Sequence, residues 1–191
     1  RAHESVGDNW KLLSPQFKRF LVPAGIFALG YFSLGFLLLK AHAAGFSASQ
    51  IVLLYALFNA TCVVVAPLAG KLGDAVGRSR VVMLGYALYG AINLALVFAS
   101  SQWEIIAVFV CYGLFYAVED SQSKALIADL EHDRRATAMG VYNFVTGLLY
   151  LPASLIAGAL WTVAPELAFG LAALLSLVAM GAFAVLRPAG K

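Results

Sequence analysis

Charged residues and cysteines are both scarce in this chain. Asp, Glu, Lys and Arg make up 12% of the 191 residues and hydrophobic residues 62%, so charge is well below the share typical of soluble domains. The two cysteines, Cys62 and Cys111, lie in apolar runs, which excludes a disulfide framework and a metal finger. A net charge of +3 is too small to indicate nucleic acid as a partner. The composition therefore predicts an integral membrane protein embedded in a lipid bilayer.

Long apolar runs divide the chain into candidate membrane spans. A helix needs roughly 20 apolar residues to cross the hydrocarbon layer. Six runs qualify, at about 20–39, 50–70, 81–100, 105–130, 139–161 and 167–186. They are continuous rather than alternating, which favours helices over a barrel. The predicted fold is thus an all-α membrane protein with a bundle of six transmembrane helices over residues 20–186.

Local signals refine the helix starts. Ser14 followed by Pro15 predicts a capped helix that begins at the membrane surface, ahead of the first apolar run. Ser47 and Gln50 have the spacing of a capping box at the start of the second. Residues 1–19 are predicted to form a cytoplasmic segment and residues 187–191 a cytoplasmic tail. Because the chain begins with Arg rather than Met, we expect a fragment or a processed chain.

Basic residues fall almost entirely on one side of the predicted bundle. Lys40 stands alone on the other side, and Lys124 lies inside the fourth span. By the positive-inside rule, the side that is richer in basic residues is cytoplasmic. We therefore expect the protein in the inner membrane of the cell, with both termini in the cytoplasm. The residues on this side are Arg1, Lys11, Lys18, Arg19, Lys71, Arg78, Arg80, Arg134, Arg135, Arg187 and Lys191.

The loop between the second and third spans reads GKLGDAVGRSR over residues 70–80. It resembles the G-x-L-x-D-R-x-G-R-x-[RK] signature of the major facilitator superfamily, with Ala75 replacing the usual arginine. Segment 125–140 resembles the connection between the fourth and fifth helices of bacterial members, and residues 1–19 resemble the central loop. The resemblance implies the C-terminal six-helix half of a twelve-helix transporter. The matching positions are Gly70, Leu72, Asp74, Gly77, Arg78 and Arg80.

The resemblance also implies a gate at this loop. Asp74 would face the helix that starts near Ala136, where a carboxylate is stabilised by the positive end of the helix dipole. Arg78 would have Asp129 or Glu131 as its partner. The alternative is a solvated basic turn that only sets the topology.

Polar residues form stripes in some spans. In the fourth, steps of four connect Tyr112, Tyr116, Asp120 and Lys124, with Glu119 and Ser123 beside them; in the fifth they connect Tyr142, Thr146, Tyr150 and Ser154, with Asn143 adjacent. The second span carries Tyr55 and Asn59, and the third Tyr86, Tyr89 and Asn93. Such residues either face a water-filled cavity or bond neighbouring helices. The resemblance implies that the second, fourth and fifth spans line the cavity, whereas the almost wholly apolar sixth can face lipid.

The charged residues of the fourth span are the strongest functional hypothesis, because ionisable groups inside a span are rare. Asp120 and Lys124 can pair along one helix face, either as a static pair or as a site where the carboxylate exchanges a proton or a cation. Glu119 lies about 100° round the helix from Asp120. It is therefore expected to face a neighbouring helix, which leaves Asp120 as the better cavity candidate.

Enzyme motifs are missing from the sequence. The serine and aspartate signatures of intramembrane proteases do not occur within spans, the three histidines lie outside them, and neither a cofactor nor a metal site is predicted. We therefore predict a non-enzymatic secondary transporter half that moves a small organic solute or drug by alternating access, with protons as a candidate coupling ion. Its partner would be an N-terminal six-helix half, in the same or another chain, or a second copy. The alternative is a non-transporting interaction or sensor module derived from such a half.

Overall fold

A computed structural model describes Trp10 and residues 12–188 of the chain. Within these residues the secondary structure is helical, without strands. The predicted positions Arg1, Lys11 and Lys191 lie outside the described residues. The long helices are α1 (Pro15–Gly30), α2 (Gly35–Ala43), α3 (Ala48–Val76), α4 (Arg78–Phe98), α5 (Gln102–Leu130), α6 (Arg135–Val163) and α7 (Pro165–Leu186).

The predicted all-α membrane architecture is confirmed. Among the described residues, five segments are long and apolar enough to cross a membrane. They are α3, α4, α6, α7 and the pair α1–α2, which covers Pro15–Ala43 with a break at residues 31–34. Helix α5, at 29 residues, is as long as α3 and α6 but carries charged residues in its second half. Several helices start before their apolar runs, because their polar ends can extend past the hydrocarbon layer.

Both predicted helix starts are confirmed. The Ser14 side chain accepts a hydrogen bond from the Phe17 amide, and Pro15 occupies the first turn. Ser47 and Gln50 form a reciprocal capping box. A second box, Ser101 with Glu104, opens α5. The spacing of Ser101 and Glu104 is the same capping-box signal as that of Ser47 and Gln50.

The core contains a cluster of aromatic rings contributed by α1, α4 and α5. The rings of Phe27 and Tyr86 stack with centroids 4.1 Å apart, and Tyr89 lies 4.8 Å from Phe115. The Tyr89 hydroxyl donates to the carbonyl of Gly30, where α1 ends. These contacts explain the polar residues of the third predicted span. Its tyrosines are buried against the first span, which is interrupted between α1 and α2, and do not face lipid.

Asn93 and Ser176 complete this buried polar set. Asn93 donates to the Tyr89 carbonyl one turn earlier in α4. Ser176 of α7 donates to the Tyr86 carbonyl, so this polar residue of the otherwise apolar sixth span faces protein. Hydroxyl bonds of this kind hold helices together where the surroundings contain no water.

Most of the apolar surface of helices α3 and α6 is left uncovered by the other helices. Only 11% of the most apolar segment of α3 and 17% of that of α6 is buried. Large side chains such as Val63, Val64, Leu148 and Leu155 project outward. Surfaces of this kind need lipid or another apolar protein face as their surroundings.

Candidate functional site

Glu119 forms a hydrogen-bonded link between α5 and α6. Its Oε1 accepts a bond of 2.9 Å from the Ser123 hydroxyl, one turn further along α5, and one of 3.3 Å from the Tyr142 hydroxyl on α6. The Tyr142 ring stacks on Phe20 of α1, which holds the hydroxyl in place. The carboxylate is therefore positioned by neutral donors from two helices.

Asp120 and Lys124 form an ion pair along one face of α5. The side chains of Lys124 and Asp120 are 54% and 48% exposed, so both charges remain accessible from one side of the bundle. The predicted pairing at a spacing of four residues is present, and it does not bury either charge. Because both side chains are about half exposed, the pair contributes little to stability.

These groups line a small polar cavity between α5 and α6. Its volume is about 160 Å³. Every lining residue is polar or charged, although both helices are largely apolar elsewhere. The lining consists of Glu119, Asp120, Ser123, Lys124, Tyr142, Asn143, Thr146 and Tyr150. Seven predicted site residues are thus brought together here, and Ser123 joins them.

Four other predicted residues lie elsewhere. Tyr112 is buried in the aromatic core beside Phe115. Tyr116 is partly exposed against Phe58, while Tyr55 and Asn59 lie on the exposed side of α3. Steps of four residues overshoot a full turn by about 40° each, so Tyr112 lies about 80° away from Asp120. The row of four-residue steps therefore winds around the helix, and its first residue, Tyr112, turns away from the cavity into the core.

The signature loop is organised around Arg78. Its guanidinium donates to Asp129 at 3.1 Å and to the carbonyl of Ala125 at 2.9 Å, both on α5. It also pairs with Asp74 at 3.2 Å, near the end of α3. One side chain therefore ties three helix ends together at this side of the bundle.

The contacts select between the expected partners of this arginine. Asp129 is the partner, whereas Glu131 accepts a hydrogen bond from the Ser14 backbone at the start of α1. Asp74 was expected to face the start of α6, but it contacts Arg78 instead and its side chain is 71% exposed. The physical reason is that α3 packs mainly along α5, which places its end beside the end of that helix.

Glycines of the loop have different roles. Gly77 alone separates α3 from α4 and has a φ of 99°, a conformation that residues with a Cβ rarely adopt. At Gly70, an added Cβ would meet no atom within 4 Å. Leu72 and Arg80 are exposed. Helices α3 and α5 approach closely at Gly113, where a Cβ would lie 2.9 Å from the Phe58 carbonyl oxygen. They also approach at Gly73, outside the matched positions, where a Cβ would overlap the Gln122 amide.

Sequence reasoning missed Gln122. This residue is 2% exposed and its Nε2 donates to the carbonyl of Ala69 at 2.9 Å, which joins α5 to α3. A glutamine inside an apolar span was the available signal, because such a side chain needs a partner within the protein. Within the described residues, no group of three or more His, Cys, Asp and Glu side chains is placed to hold a metal ion.

Together, the long apolar helices and the polar cavity define a multi-pass helical membrane protein. Residues 21–191 match the sequence profile of the Major Facilitator Superfamily. An uncharacterized MFS-type transporter of Methanocaldococcus jannaschii is 35% identical to the chain over 175 residues. That stretch covers 88% of this chain and 44% of the relative, so the chain spans less than half of the relative's length. The chain belongs to the major facilitator superfamily.

Proposed function

We propose that this chain is one six-helix half of a secondary transporter that moves a small organic solute across a membrane by alternating access. The observation that carries this proposal is the polar cavity between α5 and α6, whose lining contains two acids and a lysine. Ionisable groups at membrane depth are costly and are kept where they contact a solute or an ion. Membership of the superfamily and the named relative support the same function.

Asp120 is the proposed coupling group. Its pairing with Lys124 is exposed to the cavity, so a proton or the cationic group of a solute can compete with the lysine for the carboxylate. When the cavity opens to the other side, the pair can form again. Glu119, held by Ser123 and Tyr142, would transmit the change to α6 because its hydrogen bonds cross between the two helices.

A second six-helix unit is part of the proposal. In this superfamily the pathway lies between two halves, and one half cannot enclose a solute. The outward apolar faces of α3 and α6 provide surface for such a contact. The partner is an N-terminal half, in the same or another chain, or a second copy. The assembly would lie in the cell's inner membrane with the loop at Arg78 and both termini in the cytoplasm, as the distribution of basic residues indicates.

Flux in proteoliposomes tests this function. The assembled protein is reconstituted and screened with radiolabelled organic solutes under an imposed proton gradient. We expect gradient-driven accumulation of at least one solute, and its loss or uncoupling in Asp120→Asn. Asp133→Asn, an equivalent change in the exposed loop before α6, serves as the control and should leave flux intact. Persistent absence of flux across the screen would favour the non-transporting module.

A further inference from the structure

A separate groove lies between α4 and α7, away from the polar cavity. It has a volume of about 450 Å³ and opens where α7 ends and α4 begins. Met83 and Phe183 form part of its apolar lining, while Ser79, Arg80 and Arg187 line it with polar groups. The groove thus combines an apolar lining with two cations, one near the start of α4 and one at the end of α7.

The two arginines differ from the arginine of the loop cluster. Arg78 is paired with two carboxylates, whereas within the described part of the chain neither Arg80 nor Arg187 pairs with one. Both are exposed, and no acidic residue lines the groove. Among the described residues, the Arg80 side chain donates a single hydrogen bond, at 3.5 Å, to the Val76 carbonyl of the preceding turn. The positive charge of the groove is therefore uncompensated by these residues.

The backbone holds Arg187 at this position. Its φ is 43°, the left-handed conformation, which costs a residue with a Cβ more than it costs glycine. The next residue, Pro188, is buried and its carbonyl accepts a hydrogen bond of 2.6 Å from Ser79. The end of α7 is thus attached to the first turn of α4, with an arginine at a site where glycine would be more favourable.

We propose that this groove binds an anionic phospholipid. The headgroup phosphate contacts Arg80 and Arg187, and an acyl chain lies along Met83 and Phe183. Arginine binds phosphate with a planar set of donors, and basic pockets between transmembrane helices suit anionic headgroups. A net negative headgroup complements the uncompensated charge of the groove, whereas a zwitterionic lipid carries its own cation.

Native mass spectrometry of the assembled protein tests this site. The protein is titrated with phosphatidylglycerol and, separately, with phosphatidylcholine. We expect preferential binding of phosphatidylglycerol, weakened about tenfold or more in the double variant Arg80→Gln with Arg187→Gln. The matched control, Arg134→Gln with Arg135→Gln, removes the same charge from the exposed start of α6 and should bind like the wild type.

The variant Arg187→Gly distinguishes the effect of the arginine charge on lipid binding from the effect of the backbone conformation. Glycine adopts the left-handed conformation at lower cost, so this variant should keep its thermal stability and still lose lipid affinity. Three results would overturn the proposal: equal binding of the two lipids, equal weakening by the control pair, or wild-type affinity in Arg187→Gly. Displacement of the lipid by millimolar inorganic phosphate would instead identify a site for free phosphate.

Discussion

Replacing Gly73 by alanine is predicted to loosen the packing of α3 on α5. A methyl group at this position would overlap the side-chain amide of Gln122, which is buried and donates to the Ala69 carbonyl at 2.9 Å. To make room, the amide must leave its site and give up this hydrogen bond. The change therefore acts through one identified contact between two helices.

The expected cost follows from two opposing contributions. The overlapping atoms are the end of a flexible side chain, so the overlap is relieved once the amide moves. The amide then loses its buried hydrogen bond to the Ala69 carbonyl, which costs about 1–3 kcal/mol. Alanine recovers about 0.5–1 kcal/mol over glycine through its better helix propensity. The free energy of unfolding should fall by about 1 kcal/mol in total.

Gly70 provides the matched control, one turn earlier on the same helix. Its Cβ would meet no atom within 4 Å, so Gly70→Ala should be neutral or slightly stabilising. Thermal unfolding of the assembled protein in detergent compares the two variants. In a Gln122→Ala background, Gly73→Ala should cause no further loss, because the overlapping amide is already absent. Equal stability of the two glycine variants would refute the proposed contact.

Three further changes test other parts of the structure. Gly77→Ala should lower the free energy of unfolding by about 1–3 kcal/mol through backbone strain alone, measured by thermal unfolding, because no neighbour would touch the added Cβ. Tyr142→Phe removes the hydroxyl bond to Glu119 and should lower the free energy of unfolding by about 0.5–1.5 kcal/mol in the same assay. Its control is Thr146→Val, which affects only a bond within α6. Asp74→Asn should shift the balance of inward and outward states, measured by cysteine accessibility, with a small loss of stability because the pair is exposed. An unchanged balance would remove the gate role.

The membrane architecture could be predicted from the sequence because each span is determined locally. The thickness of the hydrocarbon layer sets the length of an apolar run, and the starts at Ser14 and Ser47 depend on residues within one turn. The partner of Lys124 was equally local, since Asp120 lies one turn away on the same helix. Features that depend on a single helix could therefore be predicted from the sequence.

Contacts between helices could not be predicted from the sequence in the same way. The approach of Gln122 to Gly73 requires α5 to pack along α3 at one register, and no pattern within either helix specifies that register. The choice of Asp129 over Glu131 as the partner of Arg78 depends on the same packing. The cavity is likewise a product of two helices, and only the structure shows that Tyr142 reaches Glu119.

The proposed transport cycle depends on Asp120 exchanging Lys124 for a proton or a solute, and flux in a doubly neutral variant measures whether it does. Asp120→Asn leaves Lys124 unpaired, so a loss of flux in that variant alone could come from the uncompensated charge. Asp120→Asn combined with Lys124→Gln removes both charges and restores neutrality. We predict that proton-driven solute accumulation stays absent in the reconstituted double variant while its thermal stability matches the wild type. Recovery of coupled accumulation would show that the exchange at Asp120 is not needed and that the pair is structural.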